Sequence, residues 1–234
     1  MQPPASFMDA YRPSLRGRRH MTAAGHYLAA QASFQVMEAG GNAIDGGVAA
    51  GMALGVVQSE LVGVAGVAPI IIYSAEEDRV VTISGLGTWP AATDPEFFTR
   101  EYPDSVPEGI LRCIVPGAPA AWIMALERYG SMTFGEVASA SIKLARDGFA
   151  MYALMAELLA EKAEKYARWD ANAEIYLPGG HSPKVGENFR QEDLGRSLQY
   201  MADCEAAAGG DRIAGLRAAR DAFYKGDIAE KISA

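Results

Sequence analysis

Only two cysteines occur in 234 residues, Cys113 and Cys204, far apart and outside any CxxC pair. That excludes a disulfide scaffold or a zinc ribbon and makes a reducing, cytoplasmic setting the expectation. Histidine is as scarce. His20, His26 and His181 share no metal-ligand spacing, and a lone histidine is ordinarily a hydrogen-bonded packing residue, so no metal and no cofactor is expected. Basic residues are outnumbered, 21 Lys+Arg against 29 Asp+Glu, and the net charge of −8 disfavours nucleic acid and anionic membrane surfaces as partners. The apolar run after Gly41 is broken by Asp45 and Gln58 and is too short to span a bilayer. The first twenty residues carry Arg12, Arg16, Arg18 and Arg19 without a signal-peptide apolar core, so export by that route is not expected. Ser33, Ser84 and Ser141 lack a GxSxG context or an evident base, which argues against a hydrolase triad within the chain.

What is present is half hydrophobic, enough for a substantial core, and organised around GGNAIDGGVAAGMALGVVQ, residues 40 to 58. Asn42 caps a helix starting at Ala43, with Asp45 three residues on completing a variant capping box. A phosphate cradle at Gly40–Asn42 is the weaker reading, since Asp45 already supplies negative charge to the first turn. Ala43, Gly47, Gly51 and Gly55 form one row and Ile44, Val48, Met52 and Val56 the next. Each interior glycine costs about 0.8–1 kcal/mol relative to alanine, a cost that close approach of another backbone would offset. A central, buried helix is expected.

In chain order, residues 1–20 read as an extended arm crossing another surface, and MTAA, residues 21 to 24, as a short buried strand. His26 to Glu38 has helical spacing and Gly40 a left-handed C-cap. APIIIYS (68–74) and VVTIS (80–84) read as a hairpin of buried strands, and GLGTWP (85–90) as a tight loop at a strand end. Pro119 opens a helix through Trp122 and Leu126 that stops at Gly130, and Thr133 with Glu136 caps another ending at Gly148. Residues 151–169 read as one amphipathic surface helix with a Glu161–Lys165 pair, followed by a turn-rich connector. Leu194, Leu198 and Met201 mark a helix, Ile213, Leu216 and Phe223 another, and Asp227 caps a last one that Ala234 leaves unfinished, so a longer polypeptide is expected.

The central stretch, with AAGHYLAA before it, VPGAPAAW at 115–122, LARDGF at 144–149 and FYKGDIAEKI at 223–232, resembles the N-terminal half of the γ-glutamyltranspeptidase family in order and spacing. The resemblance implies an α+β, helix-rich part of the four-layer αββα N-terminal-nucleophile hydrolase fold, with residues 1–234 as the large-subunit portion of a self-cleaving proenzyme. It also implies a small-subunit partner whose first residue, a threonine, attacks the amide carbonyl with its own amine as base, forming an acyl-enzyme passed to water or an amine. Thr22, Thr82, Thr88, Thr93, Thr99 and Thr133 stand in no segment resembling the processing site, so no catalytic residue is assigned within this chain.

Two further departures matter. The family's glycine-rich loop is here LVGVAGVAP, and alignment on Pro90 puts Leu86 where the family carries an arginine for the substrate α-carboxylate. Leucine offers no bidentate donors, so glutathione-like donors are expected to be poor and other small-molecule amides preferred. Ser84, Gly85, Leu86, Gly87, Thr88 and Trp89 are the candidate substrate-binding residues; the stretch is either pocket-lining or a structural turn anchored by Trp89. Two functions remain open: the enzyme's large-subunit portion, or a non-catalytic binding or scaffold module that keeps only the fold.

Overall fold

The computed structural model describes residues 15–233. Of the expected arm, residues up to 14 lie outside the described range; residues 15–20 form neither helix nor strand and cross the first helix, with Arg19 paired to Glu38 (2.5 Å) and the His20 ring 5.0 Å from that of Phe34. Met21–Ala24 is not the expected strand. Thr22 and Ala24 are half-buried and Met21 and Ala23 exposed, but no neighbouring edge among the described residues supplies ladder partners. An extended segment becomes a strand only where another backbone completes its hydrogen bonds.

Helix α1, Tyr27–Glu38, is capped by His26, whose Nδ1 accepts from the Leu28 amide at 3.2 Å. Gly40, at φ +105°, ends it as expected, and the Gly40 and Gly41 amides close onto Met37 and Val36 carbonyls. Helix α2, Ala43–Val57, has its full capping box. Asp45 does more than cap. Its buried carboxylate also accepts from the Ser131 amide and hydroxyl and the Met132 amide, tying the start of α2 to a turn 86 residues away.

Val48, Met52 and Val56 are buried as the apolar row requires, but among the described residues the glycine row meets no backbone of a second helix. The close approach to α1 falls one residue earlier, at Gly46, where a Cβ would stand 2.9 Å from Ser33 Oγ. Gly51 faces the Trp122 indole of α4, Gly55 abuts the Val64 backbone, and among the described residues nothing lies within 4 Å of a Cβ on Gly47.

Strands β1 (Ile70–Ser74) and β2 (Arg79–Ile83) form the expected antiparallel hairpin, with Ile72 opposite Val81. They are not buried strands. Ile72 and Ile83 face the core, while Ile71 (75% exposed), Tyr73 (62%) and Val80 (59%) face outward, because the two-stranded ribbon is covered on one face only among the described residues. Helix α3, Pro95–Glu101, is an element absent from the sequence expectations, although Asp94-Pro95 supplies a cap followed by proline at the first helical position.

Helices α4 (Ala118–Tyr129) and α5 (Phe134–Asp147) keep their expected boundaries at Gly130 and Gly148. Beside the Thr133–Glu136 box, the Glu205 carboxylate accepts from the Phe134 and Gly135 amides at 2.6 and 2.7 Å. Strand β3, Phe149–Ala150, pairs antiparallel with β4, Asn188–Phe189. The single helix over 151–169 is instead α6 (Ala153–Glu161) and α7 (Ala163–Tyr166), broken at Lys162, and α8 (Asp170–Tyr176) occupies the start of the expected connector. Met155 and Leu159 remain buried, and the break lets Tyr166 pack on Tyr176 with ring centres 5.0 Å apart. Lys165 pairs with Glu108 (2.6 Å) rather than Glu161. Strand β4, Asn188–Phe189, precedes α9 (Glu192–Ala207), α10 (Arg212–Tyr224) and α11 (Asp227–Ser233). The core joins α2, α4, α5, α9 and α10 in a helix-rich α+β arrangement with two small sheets among the described residues.

Candidate substrate cleft

Three chain segments interlock where β2 ends. Gly85 (φ +58°) and Gly87 (φ +77°) adopt backbone that side chains avoid, and a Cβ on either would fall 2.0 Å from a carbonyl oxygen, of Ala68 and Val115 respectively. Gly117 fits against both, its Cα so close that a Cβ would lie 2.4 Å from Gly85 O and 2.5 Å from Gly87 N. Backbone bonds follow this contact: Ala68 N donates to Gly85 O (2.9 Å), Val115 N to Thr88 O (2.8 Å), and Gly117 N and Ala118 N to Gly66 O (2.9 and 3.0 Å).

Tyr224, at the end of α10, completes the frame. Its hydroxyl donates to Pro116 O at 2.6 Å and accepts from Ala120 N at 3.2 Å, and burial raises its pKa, so it stays a neutral donor. Gly117 has no side chain with which to cap α4, so Tyr224 takes that role from a distant helix. Sequence reading missed this residue, although it lies within FYKG, one of the motifs that carry the resemblance.

The frame borders an open cleft of about 500 Å³ whose walls include Leu86, Val115, Ala120, Met124 and Tyr224. Ser84, Gly85, Leu86, Gly87 and Thr88 all line it. Trp89 does not; half-exposed, it leans on Phe98 of α3 with ring centres 5.5 Å apart. The stretch is thus structural turn and cleft wall together. No charged side chain lines the cleft among the described residues, and the arginines close to it in sequence, Arg79, Arg100 and Arg112, pair with Glu77, Glu101 and the Val106 carbonyl respectively. LVGVAGVAP is held without a positive-φ glycine, Val64 packing on Gly55 and Gly66 O accepting from the start of α4. Among the described residues no hydrogen bond links Ser33, Ser84 or Ser141 to a base, and no three metal-ligating side chains converge. Among the described residues no helix is long and apolar enough to cross a membrane.

The model of the family described as gamma-glutamyltranspeptidase matches residues 29–234. The glutathione hydrolase proenzyme of Bacillus subtilis (strain 168) is 30% identical, over 99% of this chain and 38% of its own length. The acylase ACY 1 proenzyme of Pseudomonas sp. (strain SE83) is 33% identical, over 92% and 39%. The gamma-glutamyltranspeptidase structure from Helicobacter pylori superposes with a TM-score of 0.82 at 27% identity, over 94% of this chain and 60% of that one. The chain therefore spans under two-fifths of the curated relatives that it matches, and through a match that runs from α1 to the last residue it belongs to the gamma-glutamyltranspeptidase family.

Proposed function

We propose that this chain is the large-subunit portion of a γ-glutamyltranspeptidase-like amidohydrolase or acyltransferase, acting in the cytoplasm on small amides. One observation carries the reading: relatives matched over nearly all of this chain, yet over 38–39% of their own length, are proenzymes. The remaining length accommodates a second subunit whose N-terminal threonine attacks the amide carbonyl, its amine taking the proton, to give an acyl-enzyme that water or an amine resolves. In this reading the helices and the β1–β2 ribbon form part of a four-layer αββα sandwich, and the 84–88 stretch lines the acyl side of the pocket. Cys113 and Cys204 are free thiols, which suits a reducing compartment.

The cleft also supports a shift in specificity. Leu86 stands where the family's carboxylate-binding arginine would be, and no nearby arginine lines the cleft to replace it. An arginine–carboxylate contact contributes about 1.5–3 kcal/mol, which corresponds to about 10–150-fold in kcat/KM. The test is the native processed enzyme and its Leu86→Arg variant, each assayed on a γ-glutamyl anilide and a plain acyl anilide. The wild type is expected to prefer the acyl anilide and the variant to move the ratio toward γ-glutamyl. An unchanged ratio refutes the specificity reading, and no turnover of either anilide by the native protein supports the scaffold alternative.

A further inference from the structure

Just past α2 the chain buries a charge that its neighbours do not balance. Glu60 lies two residues beyond the C-cap Gln58, and its Oε1 accepts from the Tyr152 hydroxyl at the start of α6. Glu60 Oε2 is sealed from solvent without a hydrogen-bond partner among the described residues, and so is the hydroxyl oxygen of Ser59 beside it. Tyr166 stands near Glu60, and Tyr176 near both Ser59 and Glu60. None of the ion pairs among the described residues includes Glu60. His26 packs on Tyr152 with ring centres 4.9 Å apart, but burial lowers its pKa, so it brings no positive charge at neutral pH. Buried charges are ordinarily paired or bound to a metal ion, and a water would satisfy hydrogen bonds here while leaving the charge. Since both oxygens are sealed within this chain, whatever balances the charge is of atomic size.

We propose that Ser59, Glu60 and Tyr176 form a site for one small monovalent cation, Na⁺ or K⁺, held by Glu60 Oε2 and the two hydroxyl oxygens. Every donor is an oxygen, which suits an alkali cation and not the metals that histidine and cysteine hold. One carboxylate matches one positive charge, whereas Ca²⁺ takes about six to eight oxygens, more than converge here. The cation would tie the segment after α2 to the end of α8. That segment continues to Gly66, whose carbonyl accepts from the start of α4 beside the cleft.

Thermal unfolding of the native protein in NaCl, KCl and tetramethylammonium chloride tests this, with ionic strength held equal so that screening is the same in all three. Tetramethylammonium is too large for the site. NaCl or KCl is expected to raise the melting temperature by about 2 °C or more over tetramethylammonium chloride, with a gain that saturates as the alkali cation replaces tetramethylammonium. Glu60→Gln keeps an acceptor for Tyr152 without the charge and should abolish the gain, while melting no lower than the parent in tetramethylammonium chloride. Ser59→Ala keeps the charge and removes one donor, so its gain should saturate only at higher cation concentration; this variant carries the test if Glu60→Gln does not fold. Equal melts of the parent in all three salts overturn the proposal and leave a proton or a water at Glu60. A gain that Glu60→Gln retains, or a saturation curve that Ser59→Ala leaves unmoved, overturns it as well.

Discussion

Tyr224→Phe removes one oxygen and tests the frame of the cleft. At the start of α4, Ala118 N reaches Gly66 O, Pro119 has no amide hydrogen, and Ala121 N reaches Gly117 O, so Ala120 N depends on Tyr224. The same hydroxyl satisfies Pro116 O. The substitution leaves both partners unpaired in a half-buried position, a cost of about 1–3 kcal/mol. For a chain of this size each kcal/mol shifts the melting temperature by about 2–4 °C, so the melt should fall by about 2–12 °C. Tyr73→Phe is the matched control: its hydroxyl meets Asp78 on the exposed face of the hairpin, and its loss should stay within about 0.5 kcal/mol. The assay is thermal unfolding of both variants beside the parent. Equal melts for Tyr224→Phe and the parent would refute the claim that α10 holds the 115–118 turn.

Other substitutions probe the interior. Asp45→Ala strips an acceptor from Asn42, Ser131 and Met132 and should cost about 3 kcal/mol or more in chemical denaturation, while an effect below about 1 kcal/mol would contradict its bridging role. Gly51→Leu must displace the Trp122 indole and should cost about 1–3 kcal/mol through overpacking, so an unchanged melt would place Trp122 elsewhere. His26 is buried and its Nδ1 caps α1, so burial lowers its pKa below 6.5. Since the unfolded chain binds the proton more readily, stability should be complete above 6.5 and decline as pH falls from there through the lowered folded value. His26→Asn keeps an acceptor without that titration and should flatten the decline; an unaltered pH profile would contradict the assignment.

How much of this was legible in the sequence depended on how local the cause was. Asn42 with Asp45, Thr133 with Glu136, and the stops at Gly130 and Gly148 act within one helical turn, and the helices they bound stand where their spacing put them. Met21–Ala24 has strand composition but no partner edge among the described residues, and the exposure of Ile71 and Val80 depends on what covers the ribbon, which local pattern does not encode. The break at Lys162 sits inside a continuous apolar stripe and lets Tyr166 meet Tyr176, a contact between helices that local pattern does not encode. At the cleft, the 84–88 stretch was visible as a glycine-punctuated strand end, and Trp89 was read as lining where it packs on Phe98 instead. Tyr224 was hidden because its partners, Pro116 and Ala120, lie more than 100 residues away.

The most direct test of the central claim is the intact mass of the native protein under denaturing conditions, with N-terminal sequencing of any smaller chain. The account predicts two polypeptides, one containing this chain and a second beginning with threonine. A single species of 24.9 kDa would contradict it.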